Sequence, residues 1–93
     1  MKLSDTALSA IAQLENLTVL RIDNTDMSDQ QLHYLVGLKN LESLNLYHTQ
    51  ITGKGVQQLE RLKKLKKLFL WQTAVDSAVI QFLKKNNPGL KVI

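Results

Sequence analysis

Leu41-Glu-Ser-Leu44-Asn-Leu46-Tyr-His-Thr49-Gln-Ile51-Thr52 decides the fold, because it is the middle member of a series. Counting back 24 residues gives Leu17, Leu20, Ile22, Thr25 and Met27, and counting forward gives Leu65, Leu68, Leu70, Thr73 and Val75. The trailing leucines Leu32, Leu35 and Leu38 return as Val56, Leu59 and Leu62, then as Ile80 and Leu83. A fixed period of this length marks repeat units that cannot bury their apolar side alone and do so against one another. One domain over residues 1–93 is expected, with full units 16–39, 40–63 and 64–88 and partial units 1–15 and 89–93. Met1 falls in the slot of Thr25, and neither end offers a polar capping unit, so the sequence reads as a piece of a longer protein.

Within each unit the pair Leu44 and Leu46 sits two residues apart, as do Leu20 with Ile22 and Leu68 with Leu70. That spacing puts both side chains on one face of a short strand and sends their neighbours to the other. Identical strands in register predict a parallel sheet. The threonines that follow read as a ladder of hydroxyls serving backbone groups at a turn. The next segment reads as helix: Ser28 and Gln31 form a capping box, Asp76 and Ser4 occupy equivalent N-cap positions, and Thr52 caps the middle unit. Gly53 and Gly55 then cost about 1 kcal/mol each against alanine, making the middle helix the weakest of the set. Asn86-Asn87-Pro88-Gly89 ends the last helix, and Leu90 is expected to open a further strand one residue late.

Charge divides along the chain. Residues 1–47 hold three Lys or Arg against six Asp or Glu, a net −3, while residues 48–93 hold nine against two, a net +7. Such polarity can steer a partner but is screened within about 8 Å at physiological salt. There is no cysteine, which removes disulfides, thiol nucleophiles and thiolate metal sites. No apolar run nears the roughly 20 residues that span a bilayer, so this segment is not expected to insert in a membrane. The start Met1 to Asp5 lacks the basic and apolar regions of a signal peptide.

Leu20-Arg-Ile-Asp-Asn-Thr25-Asp-Met-Ser28, Leu44-Asn-Leu-Tyr-His-Thr49-Gln-Ile-Thr52 and Leu68-Phe-Leu-Trp-Gln-Thr73-Ala-Val-Asp76 resemble leucine-rich repeats. Threonine stands where that family usually has Asn or Cys. The Thr-x-(Val/Ile)-(Ser/Thr)-Asp flavour is similar to a bacterial subclass found in surface and periplasmic proteins. Leu68 to Thr73 is also similar to repeats at the end of bacterial membrane-associated proteins that carry a c-type cytochrome domain upstream. This chain has no Cys-x-x-Cys-His, so it holds no cofactor of its own, and haem c would belong to a missing upstream domain. The resemblance implies an α/β, right-handed leucine-rich repeat solenoid with parallel strands on the concave face and helices on the convex face. It also implies protein binding without catalysis, in an extracytoplasmic setting such as the periplasm or cell envelope.

The strand face that points away from the leucines carries three columns: Val19, Ser43, Lys67; then Arg21, Asn45, Phe69; then Asp23, Tyr47, Trp71, with Asn24, His48 and Gln72 just beyond. Three of the five aromatics lie there, and aromatics beside Arg, Asp and Asn have the composition of an interface hot spot. Arg21, Asp23, Asn45, Tyr47, His48, Lys67, Phe69 and Trp71 are therefore the candidate ligand-binding residues. Two bland readings compete: strands favour aromatics in any case, and Phe69 and Trp71 could pack against absent neighbouring repeats. A protein ligand is expected ahead of a carbohydrate, since the face is flat and has few polar groups. The alternative from another class is a structural or accessory repeat domain of an exported cytochrome-like redox protein.

Leu62-Lys-Lys-Leu-Lys-Lys-Leu-Phe-Leu-Trp71 looks in isolation like a basic amphipathic helix. Register argues otherwise, because Leu62, Leu65, Leu68 and Leu70 occupy the slots of Leu38, Leu41, Leu44 and Leu46. The lysines are then a solvated margin, and nucleic acid is set aside as a partner. His33 should lie exposed on its helix, and His48 has no carboxylate or second histidine at a metal-binding spacing. Asp26 reads as a turn residue and Asp29 as a first-turn acid favoured by the helix dipole. With no phosphate loop, nucleophile elbow or acid pair, the chain is not expected to be an enzyme.

Overall fold

A computed structural model describes residues 2–93; the slot assigned to Met1 lies outside the described residues. Four short strands, β1 (Val19–Arg21), β2 (Ser43–Asn45), β3 (Lys67–Phe69) and β4 (Lys91–Val92), form one parallel sheet in the order β1-β2-β3-β4. Partners along the sheet differ by 24 residues: Leu20 faces Leu44, Leu44 faces Leu68, and Leu68 faces Val92. Sequence period and strand register are therefore the same quantity. The ladder runs past the strands, since Ile22 N–H donates to Asn45 C=O at 2.9 Å and Leu46 N–H to Phe69 C=O at 2.9 Å.

Between strands the chain returns through helical segments. These are α1 (Asp5–Ile11), the 3-10 turn Asp29–Tyr34, α2 (Gly53–Val56) with the 3-10 turn Gln57–Arg61, and α3 (Ser77–Asn86). α1 and α2 both pack on the turn Asp29–Tyr34, and α3 packs on Gln57–Arg61. The core lies between this layer and the sheet. Leu44 and Leu68 enter it from the strands, Leu46 and Leu70 from just past their ends, Leu41 and Leu65 from the loops before them, and Leu32, Leu35, Leu38, Val56, Leu59, Leu62 and Leu83 from the returning segments.

The helices expected after Ser28 and Thr52 are 3-10 over Asp29–Tyr34 and Gln57–Arg61, the second following directly on α2, which ends at Val56. Leucines three apart drift by about 60° per step on an α-helix of 3.6 residues per turn, but eclipse on a 3-10 helix of three. Leu32, Leu35 and Leu38 are all fully buried, as are Val56 and Leu62 with Leu59 nearly so, and three-residue bonds carry the row on past the 3-10 turns: Leu35 N–H donates to Leu32 C=O, Leu38 N–H to Leu35 C=O and Leu62 N–H to Leu59 C=O. The 3-10 rise of about 2.0 Å per residue also spans the return in fewer residues.

Three of the expected caps hold. Ser4 Oγ accepts the Ala7 N–H at 3.1 Å, Asp76 Oδ1 accepts the Val79 N–H at 3.1 Å, and Gln31 Oε1 accepts the Ser28 N–H at 3.1 Å. Thr52 is corrected: it stands at the N-cap of α2 without a side-chain cap bond, and its hydroxyl donates to the Asp29 carboxylate instead. Asp29 Oδ1 also accepts the Thr52 N–H at 2.7 Å. Asp26 does more than turn the chain, since its Oδ1 accepts the Leu3 N–H at 2.7 Å across units.

The expected late start of the last strand is also corrected. Lys91 pairs with Lys67 and Val92 with Leu68, so β4 keeps the 24-residue register. Leu90 N–H donates to Asn87 C=O as Leu65 N–H does to Leu62 C=O, which places Leu90 in the slot of Leu65 one residue late. One residue fewer before the strand restores the count.

β1, β2 and β3 each end in the same turn. Thr25, Thr49 and Thr73 hydroxyls donate to the carbonyls of Ile22, Leu46 and Leu70 at 2.8, 2.8 and 2.6 Å. The residue before each threonine is left-handed: Asn24 at φ 58°, His48 at 54° and Gln72 at 55°. Asparagine tolerates this region and histidine is enriched in it, whereas a longer side chain meets the roughly 1–2 kcal/mol that L-residues lose there. Gln72→Asn is therefore expected to raise stability by about 0.5–1 kcal/mol in urea denaturation. Asn24→Gln should lower it by a similar amount.

Candidate functional site

Alternation along a strand presents alternate side chains to the outside of the sheet. Register then assembles them into columns: Val19, Ser43, Lys67 and Lys91 form one, and Arg21, Asn45 and Phe69 the next. The chain keeps this order beyond the strands, where Asn24 N–H donates to Tyr47 C=O at 2.9 Å and His48 N–H to Trp71 C=O at 3.0 Å. Asp23, Tyr47 and Trp71 thus continue the face as a third column. All eight candidate residues lie along this sheet and its C-terminal margin.

Their states differ. Arg21 donates to Asp23 through Nε at 3.3 Å and through Nη2 at 3.2 Å, so the two charges face each other in a forked pair. The Arg21 guanidinium holds the Asp23 carboxyl below the ordinary carboxylate range. Asn45 is turned to its own strand, with Oδ1 accepting the Tyr47 N–H at 3.0 Å. His48 Nδ1 lies 2.9 Å from Asn24 Oδ1, and its ring stands 6.1 Å from that of Tyr47, tilted by 56°. Tyr47 and Phe69 are half-buried, Lys67 is exposed, and Trp71 is 72% exposed. From first strand to last the face passes from an internally paired charge, through neutral polar groups, to lysine and open aromatic surface.

Lys91 extends the Lys67 column and was missed because the last strand was expected one residue late; a strict 24-residue count from Lys67 finds it. The Asn24–His48 contact was missed as well, although the same count joins that pair.

The lysines of residues 63–67 are all exposed. Lys66 Nζ lies 3.3 Å from Glu42, and Lys64 Nζ donates to Asn40 Oδ1 at 2.8 Å. Leu62, Leu65, Leu68 and Leu70 are buried beside them, as register requires. His33 is exposed. Among the described residues no group of three or more His, Cys, Asp or Glu side chains is placed to hold a metal ion, and no helix is long and apolar enough to cross a membrane.

No protein-family model matches the chain, and the search of curated proteins gave no match. Solved structures do resemble it. A Leptospira interrogans leucine-rich repeat protein superposes with a TM-score of 0.69 at 23% identity, over 91% of this chain and 21% of that one. A chain of a Chaetomium Mex67:Mtr2 structure superposes with a TM-score of 0.76 at 17% identity, over 96% of this chain and 68% of that one. The chain thus spans about a fifth of the length of the Leptospira protein. The fold is mixed α/β and leucine-rich-repeat-like, built on a parallel four-stranded sheet.

Proposed function

We propose that the chain is a protein-binding module of leucine-rich repeats, a right-handed solenoid whose outward strand face, centred on Tyr47, Phe69 and Trp71, is the contact surface. The observation that carries this reading is the exposure of Trp71, at 72%, in a fold that buries Leu44, Leu46, Leu68 and Leu70 on the other side of the same sheet. Tryptophan is the residue most enriched in interface hot spots, and water against a large indole is costly unless a partner displaces it. Residues 1–93 then act as one recognition domain, a part of a longer extracytoplasmic protein that supplies any cofactor elsewhere. Binding, and no catalysis, is the role assigned to the face.

Trp71→Ala is the test. It should leave the far-UV circular dichroism in place and shift stability by less than about 1 kcal/mol, as exposed side chains do. Capture of the partner should fall by at least about 2 kcal/mol, the size of a hot-spot truncation. Loss of the folded signal in that variant would make Trp71 a packing residue and remove the proposal.

A further inference from the structure

We propose that the strand face takes an extended acidic protein segment, with carboxylates against Lys67 and Lys91 and an apolar side chain over Trp71. This rests on the reading of the face as a contact surface and names the chemistry that fits it.

Lys67 and Lys91 are register partners on neighbouring strands, which run about 4.8 Å apart. Both are exposed, and neither forms an ion pair among the described residues. Like charges set side by side on a sheet repel. Elsewhere on the face the positive charge is already answered: Arg21 is held by Asp23, and at the margin Lys66 is held by Glu42. The uncompensated charge is therefore confined to the last two strands. Beside their N-terminal ends, Lys63 and Lys64 line an open cavity of about 380 Å³ together with the Lys66–Glu42 pair.

Spacing sets the shape of the occupant. Lys67 and Phe69 project from β3 on one face, and Trp71 follows in the same alternation, each step covering about 6.6–6.8 Å. An extended peptide repeats its side chains at the same interval. A carboxylate followed two residues later by an apolar side chain therefore lands on Lys67 and then on the aromatics.

A nucleic acid fits less well. Forked phosphate contacts call for arginine, and the one arginine on the face is occupied by Asp23. The carboxylates of Asp23 and Glu42 flank the surface and repel a continuous polyanion, whereas a peptide places its charges one at a time.

Trp71 is the only tryptophan, so its emission reports on the site, and backbone amide shifts locate the contact. The 93-residue chain is titrated with the eight-residue peptide Glu-Ser-Leu-Ser-Glu-Ser-Leu-Ser, which sets Leu two residues after Glu on one face, with its counterpart carrying Gln for Glu, and with an eight-nucleotide oligouridylate. The acidic peptide is expected to shift the amides of residues 67–71 and 91 and to bind about tenfold tighter than the neutral one at low salt, a margin that shrinks at 0.5 M salt. Lys67→Gln with Lys91→Gln should remove that margin without weakening the neutral peptide. The same pair should raise Tm slightly by relieving the repulsion, which a failure to fold would not do. Equal binding of both peptides at these residues overturns the acidic preference and leaves the contact surface standing. Absence of any shift on the face overturns both readings, and tighter binding of the oligouridylate reassigns the surface to nucleic acid.

Discussion

Leu44→Ala is expected to destabilise the chain by about 3–4 kcal/mol, with an unchanged denaturant slope. Leu44 is fully buried at the second of four positions in the inward column Leu20, Leu44, Leu68, Val92, with a strand on each side. Backbone ladders fix both neighbouring strands, so the cavity left by the side chain cannot collapse. A domain of this length has a total stability of roughly 5–14 kcal/mol, so the loss is a large part of it. The same substitution at Leu20, half-buried on the edge strand, should cost about half as much, because it has one neighbouring strand instead of two. Urea denaturation of both variants checks this, and equal costs at the two positions would mean that burial between units is not what holds them.

Gly55→Ala carries the second large effect, and its sign runs against local propensity. Alanine improves a helix by about 1 kcal/mol over glycine, so sequence reasoning alone expects a gain. In the structure a Cβ at Gly55 would lie 2.1 Å from Asp29 Oδ1 and 2.6 Å from Asp29 Cβ. Asp29 would have to give up the Thr52 N–H and hydroxyl that its carboxylate accepts. Hydrogen bonds to a charged group contribute about 1.5–3 kcal/mol each, so losing the two outweighs the propensity gain, and a net loss of about 2–5 kcal/mol is expected. The mechanism makes a further demand. Asp29→Ala does not clear the space, since its Cβ remains, but Asp29→Gly does. In the Asp29→Gly background, Gly55→Ala should become stabilising by about 1 kcal/mol. A double-mutant cycle by thermal melting checks the reversal, and additive effects would rule out the close approach.

These two sites mark where the sequence was legible and where it was not. The strand columns could be read because period and alternation are carried by residue identity, and Leu20, Leu44 and Leu68 each state the register alone. That same logic placed Arg21, Asn45 and Phe69 side by side before any coordinates. Gly55 could not be read, because its cost is set by Asp29 in the preceding unit and propensity sees only its own helix. The 3-10 turns have a signal in the three-residue spacing of Leu32, Leu35 and Leu38, which a reading of the segment simply as helix leaves unused. At the site, the left-handed residues carry a cue at Asn24 and His48; Gln72 adopts the same conformation because the fold repeats. Leu68 to Thr73 fits every unit of the repeat equally well, which is why six such residues cannot single out a haem protein.

The outward strand face stands or falls on a comparison of two exposed aromatics. Trp71 lies on that face, while Phe82, 39% exposed, sits on α3 in the opposite layer. The measurement is capture of binding proteins from an extract of the source cells by three immobilised chains: wild type, Trp71→Ala and Phe82→Ala, each first shown to be folded by circular dichroism. The account predicts that a species held by the wild type is retained by Phe82→Ala and lost from Trp71→Ala. Retention by Trp71→Ala with loss from Phe82→Ala would contradict it and move the contact surface to the helical side.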